Sequence, residues 1–196
     1  MSVAISLKMA DVGALRLRAT GLETLRSLAG PNARPLGHDR TEDYAFLAVQ
    51  APGVIREFVF FPGQKTLIEY DIANPAGPIT WKVEGAGSAQ TVVPELHLIQ
   101  TGERQTPGKV DSDDLAGLQL GGWTILFHTE PRMAQSAVSF DVKGPAQMKF
   151  LIAGMAPGVW EIWRAGMREQ DDVGVAPQAG ILRFEGKPGG YFLRAI

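Results

Sequence analysis

The feature that most restricts what this chain can fold into is a succession of short apolar runs of period two, each cut off by glycine or proline. Successive side chains of a strand point to opposite faces, so strict alternation marks a ribbon with one buried and one wet side. In Ile79-Thr80-Trp81-Lys82-Val83-Glu84, the residues Ile79, Trp81 and Val83 fall on one face and Thr80, Lys82 and Glu84 on the other. With 23 Gly and 13 Pro spread along 196 residues, the interruptions come too often for long helices and at the right intervals for hairpins.

Followed along the chain, this pattern predicts an all-β protein. Ala14-Leu15-Arg16-Leu17-Arg18-Ala19 alternates as a strand, and Leu22 to Leu28 spaces its leucines as in a short helix. The polar stretch from Asn32 to Glu42, with Pro35 and Gly37, is expected to be a loop. Strands are expected at Tyr44–Val49, at Ile55–Phe61 and Thr66–Ile72 as a hairpin, at Ile79–Glu84 and at Glu95–Gln100. In the second half they fall at Trp123–His128, Ser136–Val142, Met148–Ile152, Val159–Trp163, Ile181–Glu185 and Tyr191–Leu193. About a dozen strands at this spacing predict an antiparallel β-sandwich, either one large sandwich or two small ones packed together. The polar stretch Thr101 to Asp114 is the longest loop and divides the chain into halves at 1–100 and 101–196, unless the two form one continuous domain.

Composition removes several function classes. Hydrophobic residues make up 45% of the chain, enough for a substantial core. Nineteen Lys and Arg against 21 Asp and Glu provide no cationic field for nucleic acid or an anionic membrane. No cysteine is present, so disulfides, thiolate metal sites and thiol catalysis are excluded. No stretch reaches the roughly 20 apolar residues of a spanning helix. The start, Met1-Ser2-Val3-Ala4-Ile5-Ser6-Leu7-Lys8, lacks a cationic region followed by a long apolar run, so no signal peptide is expected. Nucleotide, hydride-transfer and zinc-protease motifs and the Gly-x-Ser-x-Gly elbow do not occur.

One family resemblance emerges. Tyr44-Ala45-Phe46, Arg56-Glu57-Phe58-Val59-Phe60, Leu67-Ile68-Glu69-Tyr70-Asp71 and Trp81 resemble an aromatic strand, an R-x-F-V-F strand, a V-V-Y-D strand and a Trp-bearing strand. Leu96 to Thr101, Trp123 to Phe127, Met155 to Trp160 and Gly180 to Tyr191 continue the likeness. The chain in this respect is similar to the C-terminal β-sandwich region of heparinase II/III-like polysaccharide lyases, in which the sandwich follows an α/α-toroid. The resemblance implies a polysaccharide relation, a companion catalytic domain upstream and an extracellular or periplasmic setting. It carries over no catalytic residue, because the bases of such lyases come mostly from the toroid and this chain has no room for one.

Candidate sites follow from residue chemistry. Glu95 and His97 lie two apart on an expected strand and share a face. With His128 at the end of another strand they would form a Glu/His/His metal site of cupin-like type, against the simpler expectation of histidines at strand edges with wet tips. His38-Asp39-Arg40-Thr41-Glu42-Asp43-Tyr44 gathers a general base, carboxylates and a phenol, the equipment to bind sugar hydroxyls or perform acid–base work, although such clusters before strands are usually solvated turns. Of the four Trp, Trp81 and Trp123 have aliphatic neighbours and are expected in the core. Trp160 and Trp163 differ by three, so on a regular strand they face opposite ways and one of them is available to stack on a sugar ring. Asp111-Ser112-Asp113-Asp114 and Asp171-Asp172 lack the pattern of a calcium loop and are expected to be solvated.

The leading expectation is thus a non-catalytic accessory module of a carbohydrate-active protein, without a cofactor. Its weak glycan contacts would come from Trp160, Trp163, His38 and Tyr44. The alternative is a small metal-dependent enzyme using Glu95, His97 and His128. A third reading, a self-associating structural protein, predicts long exposed edge strands.

Overall fold

A computed structural model describes residues 25–26, 29, 32–51, 53–62, 66–72, 79–83, 90–92, 108–109, 112, 114–130, 134, 136–144 and 146–196; for 66, 79–83, 90–92 and 108–109 this is the backbone alone. Its strands fall into three sheets. The first sheet is a meander in chain order, β1 (Arg34–Arg40), β2 (Ala45–Ala51), β3 (Val54–Phe61), β4 (Thr66–Asp71), β5 (Ile79–Val83) and β6 (Gln90–Val92). After it the chain weaves between two further sheets. β7 (Gly108–Lys109), β8 (Leu115–Leu120), β9 (Trp123–His128), β11 (Met148–Ala153) and β14 (Ile181–Gly186) form the second, in the order β14-β11-β9-β8-β7. β10 (Ala137–Val142), β12 (Gly158–Arg164), β13 (Met167–Val175) and β15 (Gly189–Ala195) form the third, in the order β10-β15-β12-β13. All named pairings are antiparallel except β9 with β11, which run parallel because β10 crosses to the other sheet between them.

The second sheet lies in the middle and is buried on both faces. One face contributes Leu118, Leu120, Trp123, Ile125, Phe127, Leu151 and Ile181 to a core shared with Tyr44, Phe46, Val59, Phe61, Ile68 and Tyr70 of the first sheet. The other contributes Leu126, Phe150, Ile152, Leu182 and Phe184 to a core shared with Val138, Phe140, Trp160, Ile162, Tyr191 and Leu193 of the third. A strand buried on both sides cannot alternate, and β9, Trp-Thr-Ile-Leu-Phe-His, is buried at every position. The outer β10 does alternate, with Val138, Phe140 and Val142 inside and Ala137, Ser139 and Asp141 outside. The far side of the first sheet buries Leu47, Val49, Phe58 and Phe60 beneath Leu25, which is helical together with Arg26 and Ala29.

Aromatic rings join the layers. Trp123 of β9 meets Phe61 at 5.1 Å and Tyr44 at 5.7 Å between centroids, and Phe127 stacks on Tyr70 at 5.0 Å. In the other core Phe150 of the central sheet meets Tyr191 at 5.0 Å and Phe140 at 5.9 Å, and Phe184 meets Tyr191 at 5.5 Å. The Gly121-Gly122 turn joins β8 to β9 with φ of 56° and 82°, the double left-handed conformation that a two-residue hairpin needs and that glycine adopts without a Cβ clash.

The all-β sandwich expected from the sequence is what the chain forms, here as two face-to-face packings that share a middle sheet. The 55–61/66–72 hairpin is present as β3 and β4. Three expectations need correction. Leu115 to Leu120, where no strand was expected, is β8 of the central sheet. The stretch from Asn32 to Glu42, expected to be a loop, contains the strand β1; it is an edge strand whose pairing with β2 tolerates Pro35 through a shift in register between Pro35 and Gly37. The polar run Met167 to Val175, where no strand was expected, is the nine-residue edge strand β13. Its exposed edge carries Arg168, Glu169, Asp171 and Asp172, and Asp172 has a φ of 57°, so charge and a local break oppose pairing with another chain. The predicted strands at Ala14–Ala19 and Glu95–Gln100, and most of the Thr101–Asp114 loop, lie outside the described residues.

Because Phe127 is fully buried and joins the two halves of the stack through Tyr70, Phe127→Ala is expected to destabilise the protein by ~3–5 kcal/mol, measured by urea unfolding.

Candidate functional site

Two regions hold the polar and aromatic residues singled out above. The first is a seam where the β1–β2 connection meets the central sheet. Thr41 closes the connection: its Oγ1 accepts from the amides of Asp43 at 3.2 Å and Tyr44 at 3.3 Å. The His38 amide donates to the Gln178 carbonyl at 2.8 Å, and a Cβ at Gly37 would lie 2.9 Å from the Ala179 carbonyl oxygen, so glycine is what permits this approach. The Tyr44 ring is 0% exposed and its hydroxyl donates to Asp39 Oδ2. The guanidinium of Arg183 lies over the same ring, 6.0 Å from its centroid. Lys149 Nζ reaches Asp43 Oδ2 at 3.0 Å and sits 5.2 Å above Trp123.

This seam is held by structural contacts. Burial first, and the Asp39 carboxylate second, push the Tyr44 phenol above its ordinary range, the direction opposite to that of a phenolate base. His38 is half-buried on β1. Tyr44→Phe keeps the ring but strands Asp39 at the seam. It is expected to cost ~1–2 kcal/mol in urea unfolding while leaving any ligand affinity unchanged.

Sequence reasoning missed a second buried group. Glu57 of β3 faces the central sheet beside Tyr70, its partner across the β3–β4 ladder. It is 3% exposed, and among the described residues neither its Oε2 nor the Tyr70 hydroxyl has a hydrogen-bond partner. Burial raises the Glu57 carboxyl to about 8, and burial with Glu57 nearby raises Tyr70 to about 12. On the opposite face Arg56 grips Asp71 with two bonds of 2.6 and 2.8 Å, which gives the Arg of the R-x-F-V-F-like strand and the Asp of the following strand a shared structural task. Since the Glu57 pKa is higher in the folded than in the unfolded chain, its contribution is fully present below the ordinary value near 4.5 and is lost as pH rises through about 8. Stability is therefore expected to fall by up to ~1.4 kcal/mol per pH unit across that window. Glu57→Gln should flatten the slope in melting curves recorded from about pH 5 to about pH 9.

The metal candidate divides differently. Glu95 and His97 lie outside the described residues. His128, expected to have a wet tip, is buried at the end of β9 with its Cδ2 2.9 Å from where a Cβ of Gly154 would stand. The chain leaving β11 passes over this strand end at Gly154, whose lack of a side chain admits the imidazole. Among the described residues no three His, Asp or Glu side chains converge on a point.

The second region is the outer face of the third sheet. Trp160 and Trp163 face opposite ways, as their spacing requires. Trp160 is 0% exposed in the core, its Nε1 donating to the Ala156 carbonyl at 3.1 Å, so it offers no ring face to a ligand. Trp163 is half-buried and opens outward, opposite Phe192 on β15, which is 42% exposed. Between their strands Glu161, 5% exposed, accepts from Arg194 Nε at 3.1 Å and Nη2 at 2.6 Å and from Trp163 Nε1 at 3.3 Å. Arg168 Nη2 lies 3.3 Å from the other oxygen. The Arg194 bond, helped by Trp163 and Arg168, holds the Glu161 carboxyl below the usual carboxylate range. Arg194 also lies 6.0 Å over the Trp163 ring. Trp163, Phe192, Arg194 and the glycines Gly166 and Gly190 line a shallow cavity of about 330 Å³. No signal along the sequence joins Glu161 to Arg194; strand pairing does.

Compared with known proteins, no curated protein matches the chain. Residues 109–195 match the family model of the heparinase II C-terminal domain. The match runs from β7 to β15 and takes in the central and third sheets with the core between them. The first sheet, where the resemblance rested on Tyr44 to Trp81, precedes the matched residues. The C-terminal part of this chain is similar to the C-terminal region of heparinase II/III-like proteins.

Proposed function

We propose that this chain is a non-catalytic β-sandwich accessory module of a carbohydrate-active, polysaccharide lyase-like protein. It braces a companion catalytic domain and makes weak contact with glycan through the outer face of the third sheet. The observation that carries the reading is the division of aromatic residues across that sheet. Trp160, Phe140 and Tyr191 lie in the core, while Trp163 and Phe192 stand on the solvent side, the indole edge fixed by the Glu161 carboxylate. Flat apolar faces beside fixed polar groups match the C–H faces and hydroxyls of a sugar ring.

The described acid–base candidates support the non-catalytic part. Tyr44 is buried with its hydroxyl committed to Asp39, and Glu57 is sealed between two sheets. A lyase must present a base to the hydrogen beside a uronate carboxylate, within hydrogen-bond reach. Of the candidates named at the outset, Trp163 keeps a place in the contact surface.

The test pairs two measurements on the intact chain. Incubation with uronate-containing polysaccharides is expected to release no unsaturated product, and calorimetric titration with oligosaccharides is expected to show weak, saturable binding. Unsaturated product would overturn the non-catalytic assignment, and absence of binding across neutral and acidic glycans would overturn the contact.

A further inference from the structure

We infer that the cavity between Trp163 and Phe192 takes a neutral glycosyl unit, not the acidic sugar that a lyase relation suggests. This rests on the glycan-contact reading above and adds to it the ligand's charge class. The cavity, about 330 Å³, lies at the small end of ligand sites, the size of one or two sugar rings. Its floor is low because Gly166 and Gly190 carry no side chain; a Cβ at Gly166 would meet nothing, and one at Gly190 would stand 3.4 Å from the Asp141 carboxylate. Its lip is the β12–β13 turn, where Ala165 has a φ of 49°, a left-handed conformation that a non-glycine residue adopts at a cost.

The electrostatics decide the ligand class. Two guanidinium groups border this face, and each already has a carboxylate: Arg194 on Glu161, and Arg168 on Glu161 and Asp171. Asp141 beside Gly190 adds a third carboxylate, so the surroundings carry no surplus positive charge. A uronate or sulfate at the outer edge of Arg194 would meet a guanidinium whose charge Glu161 already answers, with Asp141 on the same face; drawing Arg194 away would leave Glu161, only 5% exposed, as a buried, poorly compensated charge. A hydroxyl asks for much less. One ring hydroxyl can accept from the solvent-facing edge of Arg194, whose side chain is 52% exposed, and a separate one can donate to Asp141 opposite Gly190, without disturbing any pair. The apolar faces of Trp163 and Phe192 then take the C–H side of the ring. Glu161 acts as a positioning residue, since one carboxylate holds both the indole edge and the guanidinium and so reduces the ordering needed on binding.

The experiment titrates the intact chain with neutral oligosaccharides and with uronate-containing and sulfated ones, each at low and high salt, following tryptophan fluorescence and heat. Saturable binding of neutral sugars with little change between the salts is expected, as for a contact without net charge pairing. Trp163→Ala, and separately the exposed Phe192→Ser, are each expected to weaken it about tenfold or more with an unchanged circular dichroism spectrum. Stronger, salt-sensitive binding of the acidic sugars would overturn the charge class and leave the glycan-contact reading standing. Neutral binding that neither substitution weakens would overturn the assigned cavity. Binding of no sugar at all would overturn both the inference and the reading on which it rests.

Discussion

The central sheet is apolar on both faces, and everything else in the molecule answers to that. Five strands with Ile125, Phe127 and Leu151 on one side and Leu126, Phe150 and Ile152 on the other cannot border water on either. Each large side chain of this kind gains ~1.5–3 kcal/mol when buried, so both flanking sheets are required rather than ornamental. The part of the chain that matches the heparinase II C-terminal domain contains the central and third sheets, and the first sheet is what covers its remaining apolar face. Aromatic side chains do most of this joining because each covers a large area with few rotatable bonds.

Polar groups sit where the layers meet or end, and their partners explain their roles. Lys149 with Asp43 ties the first sheet to the central one along an edge that water reaches, and Asp39 with Tyr44 fastens β1 to the connection that follows it. Glu161 ties β12 to β15 and to β13 on the outer face. Glu57 is the exception, a carboxyl placed inside an interface without a full set of partners, which burial keeps protonated. Among the described residues, the third sheet's outer face is a surface on which aromatic rings and fixed polar groups stand together without a layer over them.

How far the sequence anticipated this varies with the kind of strand. β10 shows its alternation openly, since one face is wet, and β3 and β4 are bounded by clear turns. β1 and β13 were invisible because edge strands exposed on much of their surface need neither apolar alternation nor a high strand propensity; their neighbours hold them. The opposed directions of Trp160 and Trp163 followed from their spacing, but which of them faced water did not. Period two gives relative orientation, and only the position of the neighbouring sheet says which side is inside. His128 looked like a strand-end residue in solvent and is buried because the chain leaving β11 passes over it at Gly154.

By itself, then, the sequence determined the class of the fold: glycine and proline spacing forbade long helices, alternation demanded sheets, and balanced charge with no cysteine removed whole families of chemistry. These are local properties, set by dihedral limits and side-chain direction. The stacking order of the sheets was decided in the tertiary structure alone, as were the placement of Glu57 inside an interface and the meeting of Glu161 with Arg194, 33 residues later. Such contacts depend on strand register and on which apolar face finds which partner, and neither is written in any one stretch of chain.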